Sequence, residues 1–218
     1  MTRGLGRIVE HDDRSRRFAV KPTPVSRTVL WRHNAPVLDQ GELGACTGFA
    51  LAQLLNTQAF AKSRGAAGAY LSESNALSLY EMATVLDDIP GAYPPIDTGS
   101  SGLAVCKAGV AQGYLASYRH AFGFEQFLSA LQKGPVIVGT DWFTGMEETG
   151  AGFFIRPEGE LIGGHEYLVL GANLHSEYVT ILNSWSAGWG SGGRARISFA
   201  DFKTLLAREG DVTVPVGA

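Results

Sequence analysis

Three residues of this 218-residue chain have types and settings suited to nucleophilic chemistry: Cys46, His165 and Asn183. Cys46 lies where the loop DQGELGA gives way to the apolar run CTGFALAQLL, so its sulfur is expected at a helix N-terminus. Unpaired backbone N–H groups and the macrodipole stabilise an anion there. The thiolate is the competent nucleophile, and such a setting lowers a cysteine pKa from ~8.5 towards ~3.5–7.5. Glycines at 41, 44 and 48 admit close backbone approach, which a cysteine that merely packs does not need. Taken alone, a free cysteine is more often a small buried hydrophobe.

His165 follows Gly163-Gly164 and opens the run HEYLVLGA. On a strand, His165, Tyr167 and Val169 face one way and Glu166 and Leu168 the other. A histidine so placed can reach a nucleophile across a cleft; a lone histidine hydrogen-bonded at a sheet edge is the plainer alternative. Alternation turns Glu166 away from His165, so it reads as a solvated or salt-bridged residue rather than an acid. Asn183 ends the run YVTILN, ahead of Ser184-Trp185. An asparagine amide can fix a histidine's tautomer without adding charge, and Trp185 could roof that hydrogen bond. By itself Asn-Ser-Trp also reads as a strand-to-turn transition. Each signal is weak alone; the set is not.

These residues need elements to hold them. Residues 1–30 are polar, broken by Pro22 and Pro24, and read as an extended arm. Residues 46–64 read as one helix, apolar on nearly every face and so buried, ending at Lys62, Arg64 and Gly65. Ser72 with Asn75 marks a second helix start, 91–102 a Gly/Pro/Ser-rich loop, and 103–112 and 124–132 short helices. Runs at 135–142, 153–155, 165–172, 178–185 and 194–199 are β-branched or aromatic and bounded by turn signals, and read as antiparallel strands. Helices followed by strands make an α+β protein. The expected organisation is an arm (1–30), a mainly helical part (31–125) with the nucleophile helix, and a mainly β part (126–218) with His165 and Asn183. Residues 31–218 would act as one catalytic unit with the site in the cleft between.

Composition narrows the partners. With 45 % hydrophobic residues the chain can bury a real core. A net charge of −3, and a lone basic cluster (Arg14, Arg16, Arg17) beside Asp12 and Asp13, give no footprint for nucleic acid. No run approaches the ~20 apolar residues that cross a bilayer, and the N-terminus lacks a secretory signal's apolar centre. A protein that is cytoplasmic, or released without a signal peptide, is the expectation. The two cysteines, Cys46 and Cys106, suit a reducing compartment, a disulfide between them being the bland alternative. The five histidines show no ligand spacing, so neither metal nor cofactor is expected. GWGSGG (188–193) fits a dinucleotide fingerprint literally, but the β-like RARISF follows it where a helix is required.

The segments QGELGAC (40–46), GGHEYLVLGAN (163–173) and NSWSAGWGSGGRARIS (183–198) resemble the nucleophile, histidine and asparagine motifs of papain-like (C1 family) cysteine peptidases, in the family's order. ALQKGPV (130–136) resembles that family's Gly-Pro-Val strand entry, and the likeness runs from about residue 31 to 200. The resemblance implies a two-lobe fold, a helical lobe beside an antiparallel β-barrel-like lobe. It implies a thiol endopeptidase working through a Cys46–His165 thiolate–imidazolium pair and a thioester acyl-enzyme. Asn183 would orient His165, and Gln40, six residues before Cys46, would supply an oxyanion donor with the Cys46 N–H. It also implies that Gly99 and Ser100 pair with substrate backbone, that Gly164 and Trp185 border the substrate, and that the second subsite, near Gly139, Leu103 and Ile162, is roomy and apolar.

The departures are Leu43, where secreted relatives carry a disulfide cysteine, and Thr47, where they carry tryptophan. With no long propeptide ahead of residue 31, they resemble bacterial and phage members. The expected partner is a polypeptide, and the expected state a monomer. Two alternatives stay open: a non-catalytic protein on the same fold, and a cell-wall peptide amidase using the same chemistry. The arm, with Phe18 and Val20 among charges, is expected to lie in or near the cleft and restrain access.

Overall fold

The computed structural model describes residues 3–65 and 68–218. Seven antiparallel strands run β1 (Val29–Leu30), β2 (Leu115–His120), β3 (Val136–Phe143), β4 (Leu161–Asn173), β5 (Tyr178–Leu182), β6 (Arg194–Ser198) and β7 (Asp211–Gly217). The sheet order is β2-β7-β3-β4-β5-β6, with β1 pairing the far end of β4. The helices are α1 (Cys46–Leu55), α2 (Glu73–Leu86), α3 (Gly102–Ala111), α4 (Phe124–Leu131) and α5 (Phe199–Ala207).

Two cores explain the two lobes. Tyr167 and Val169 of β4 join Trp142, Phe127, Phe202 and Ile197 in the β core. Leu168 and Leu170, one step along the same strand, join α1, α2 and α3 in the helical core. A strand buried on both faces follows, and β4 reads as a nearly continuous apolar run for that reason. All ten residues of α1 are buried, which its all-round apolar sequence requires. Gly48 lets α1 approach α2 closely, since a Cβ there would lie 2.7 Å from the Tyr80 N–H.

The helix expected over 46–64 is broken. Asn56 ends α1 because its amide bonds both backbone groups of Leu71, at 2.7 and 2.9 Å. Thr57 then turns extended to bridge His33, and a 3-10 segment, Gln58–Arg64, resumes before Gly65 at φ +75°. Ser72 and Asn75 form a capping box at the expected start of α2. Residues 153–155 are not a strand. Gly152 and Phe153 have φ of +67° and +62°, which breaks extension, and only Phe154 bridges β6. The arm is not wholly extended either, since Asp13–Phe18 is a 3-10 helix capped by Asp12.

Candidate active site

Cys46 is the first residue of α1 and fully buried, between that helix and the start of β4. Its Sγ accepts from the N–H of Glu166, the residue that follows His165, at 3.4 Å. His165 Nε2 lies 2.7 Å from Asn183 Oδ1, and that oxygen also accepts the Ser184 N–H at 2.8 Å. An acceptor already taking an N–H takes a second from the ring, so Nε2 carries the proton and the Nδ1 lone pair is left. Nδ1 is buried and has no hydrogen-bond partner.

The surroundings fix this pair. Trp185 lies over the His165 ring at 5.0 Å and 31°, and Trp142 meets it edge-on at 4.8 Å and 66°. Aromatic pairs of this kind contribute about 0.5–1.5 kcal/mol beyond area burial. Gln53, buried on α1, donates to the Asn183 carbonyl at 3.2 Å and accepts from the Leu38 N–H at 3.4 Å. Ser184 Oγ donates to Gln40 Oε1 at 2.5 Å, so the Gln40 amide nitrogen must point the other way, into the cleft.

That nitrogen donates to the Leu43 carbonyl of its own loop at 2.8 Å and also meets the chain's N-terminal arm. Gln40 Nε2 donates to the Gly4 carbonyl at 3.1 Å, and Trp185 Nε1 donates to the same oxygen at 3.3 Å. Farther along, the N–H groups of Gly6 and Arg7 both reach the Gly164 carbonyl at 3.0 Å. On the opposite wall Ser100 N–H donates to Gly6 O at 2.9 Å, and Ile8 N–H to Ser100 O at 2.8 Å. Residues 4–8 thus lie as an extra strand between the two walls. Glycine is required at 4 and 6, because a Cβ at either would collide with the backbone of Leu43 or Gly44. Phe18 and Val20, the arm residues expected at the cleft, are elsewhere: Phe18 is exposed and Val20 packs in the β core.

Burial governs the charges. It pushes the Cys46 thiol up, only partly offset by the Glu166 N–H, and lowers His165 to about 4 against the help of Asn183. Both shifts disfavour the charged forms of the expected thiolate–imidazolium pair in this closed arrangement. A helix N-terminus is worth up to ~2 kcal/mol, whereas full burial shifts a pKa by up to ~3–5 units, so burial wins.

All eight site residues singled out in the sequence converge here. Cys46, His165, Asn183 and Gln40 line the floor; Ser100, Gly164 and Trp185 bond the arm directly, and Gly99, at φ +72°, abuts Gly6. Sequence reasoning missed the supports: Gln53, the Ser184 hydroxyl, Asp87, which accepts from Ser100 Oγ at 2.7 Å, and Asp97, which accepts from the Gly44 N–H at 2.8 Å and the Tyr80 hydroxyl at 2.5 Å. Polar residues within predicted helices or loops carried no signal of these partners.

Glu166 needs correction. It does point away from His165, but into the interior: it is fully buried, neither solvated nor ion-paired within 4 Å. Period-two alternation implies solvent on one side only when the strand has a wet face, and β4 has none. The apolar second subsite is likewise overturned, since Gly139 faces Glu166, Asp211 and Arg7. Ile162 is 40 % exposed. Cys46 and Cys106 are both free. Among the described residues, no cluster of three or more His, Cys, Asp or Glu could hold a metal, and no helix is long and apolar enough to cross a membrane.

No family model and no curated protein matches the chain in sequence. Solved structures match its fold. Xylellain, a cysteine protease from Xylella fastidiosa, aligns at TM-score 0.78 and 17 % identity, over 100 % of this chain and 97 % of its own. Digestive procathepsin L 3 of Tenebrio molitor larval midgut aligns at 0.67 and 19 %, over 99 % and 76 %. Bromelain of Ananas comosus, in complex with the E64 inhibitor, aligns at 0.62 and 19 %, over 89 % and 100 %. The chain has the two-lobe papain-like fold, with the candidate site in the cleft between its lobes.

Proposed function

We propose that the chain is a papain-like cysteine peptidase held closed by residues 4–8. One observation carries this reading: a polypeptide strand already lies in the cleft, bonded by both walls, with one carbonyl on the side-chain donors Gln40 and Trp185. A cleft that holds its own backbone so is suited to hold another's.

With the arm displaced, water returns and the desolvation that keeps both groups neutral is relieved. The Cys46 thiol proton passes to His165 Nδ1, and Sγ attacks the scissile carbonyl carbon. Gln40 Nε2, fixed by Ser184, stabilises the oxyanion. As the C–N bond breaks, His165 returns the proton to the leaving amine, leaving a thioester on Cys46. Water, its proton taken by His165, attacks the thioester and restores the thiol. Asn183 holds the productive tautomer throughout, and Trp142 and Trp185 shield that bond from water.

The test is cleavage of a denatured protein by the full chain carrying Gly4→Ala, a change that the arm's fit cannot tolerate. New amino termini should form, fail to form with Cys46→Ala, and persist with Cys106→Ser. Absence of any cleavage by a folded Gly4→Ala chain would reject the reading.

A further inference from the structure

We infer that Glu166 and Asp211, over Gly102 and Gly139, form a subsite that selects a basic side chain, arginine before lysine, in the polypeptide that replaces the arm. The occupant's identity as substrate rests on the peptidase reading; the pocket's chemistry does not.

The present occupant is Arg7. Its guanidinium is nearly inaccessible and grips Asp211 Oδ1 through Nε at 2.9 Å and Nη2 at 2.6 Å, and Nη2 also donates to the Glu209 carbonyl. Glu166 Oε2 faces the same space above Gly139. Both Glu166 oxygens are buried without any hydrogen-bond partner, as is Thr213 Oγ1 beside them. Such orphaned acceptors are costly in a fold that gains nothing from them. One guanidinium thus faces two carboxyl groups, and the pocket keeps unused acceptors even when filled.

Its shape is selective too. Gly102 and Gly139 leave the floor open, and a Cβ at Gly102 would come within 2.7 Å of Glu166 and 2.8 Å of Asp211. An apolar side chain here would leave both carboxyl groups desolvated and unpaired, whereas a cation compensates them. Arginine, with five donors in a planar fork, suits two acceptors better than the point charge of lysine. The pocket is also in register with the candidate site, because the backbone N–H of Arg7 bonds Gly164, the neighbour of His165.

The test separates the pocket from the chemistry. In the full chain carrying Gly4→Ala, Cys46→Ala and Arg7→Ala, which frees the cleft, prevents turnover and empties the pocket, calorimetry compares acetyl-Ala-Arg-Ala-Gly-amide with its norleucine analogue. The arginine peptide should bind at least about tenfold more tightly, and Asp211→Asn or Glu166→Gln in that background should reduce the ratio to about twofold. Two near-isosteric variants guard against one failing to fold, with thermal melting as the check. Equal or undetectable binding of both peptides, or a ratio that survives both variants, overturns the inference. If the arginine preference holds but the chain carrying Gly4→Ala and Arg7→Ala with Cys46 intact cuts nothing, the pocket stands and the peptidase reading falls.

Discussion

Gly4→Ala offers the sharpest test of the arm as a gate. Its Cβ would fall inside the Leu43 carbonyl, so residue 4 must leave the cleft floor. Three hydrogen bonds go with it: Gly4 N–H to Gly41 O at 2.8 Å, and Gln40 and Trp185 to Gly4 O. At about 1 kcal/mol net each, docking weakens by ~3 kcal/mol. Each ~1.4 kcal/mol is a tenfold change in the open fraction, so the site should open ~10²-fold more often. Gly4 does not require a positive φ, so the effect is contact rather than backbone strain. The assay is the rate at which iodoacetamide modifies Cys46, followed by intact mass and located by peptide mapping, with buried Cys106 as internal reference. A rise of ~30–300-fold at Cys46 and none at Cys106 is expected. Labelling at the wild-type rate in a folded Gly4→Ala chain would refute the gate.

Other outcomes follow from the same geometry. Burial holds His165 and His33 at about 4 against an ordinary 6.5, so between those values the folded chain binds fewer protons than the unfolded one. Their stabilisation is complete above pH ~6.5 and lost as pH falls towards 4, at ~1.4 kcal/mol per histidine per pH unit. Melting temperature should therefore drop steeply between pH 6.5 and 4, and a flat profile would contradict it. In the Gly4→Ala background, Gln40→Ala should lower kcat/KM for a peptide by ~10²–10³ in a chain that is still folded, since a lost oxyanion donor has that effect. Asn56→Ala orphans both Leu71 backbone groups and should cost ~1–3 kcal/mol in denaturant unfolding; no change would mean that α1 ends for another reason.

The candidate site was legible because it rests on short motifs whose residue types have few other uses. Cys46 after a glycine-bearing loop, His165 on a strand and Asn183 before a tryptophan fall together as read. The continuous apolar runs of α1 and β4 likewise declared buried elements. Legibility failed where tertiary partners decide. The strand β2 carries the polar sequence LASYRH and forms because β7 pairs with it, and both β7 and α5 went unread in the last 19 residues. Asn56 breaks a helix because Leu71 is near it in space. Glu166 and Asp211 meet from β4 and β7 only after the sheet closes, and Arg7 reaches them from more than 150 residues away in sequence. Local pattern also left out the burial that pushes the Cys46 thiol up, since a helix N-terminus is visible in sequence and the packing around it is not.

The central claim, that Cys46 forms an acyl-enzyme with a peptide carbonyl, is tested most directly by acid-quenched intact mass during turnover of a peptide ester by the Gly4→Ala chain. The expected result is one adduct of the acyl group's mass, mapped to Cys46, absent from Cys46→Ala. Turnover that proceeds without an adduct, and continues undiminished in Cys46→Ala, would contradict it.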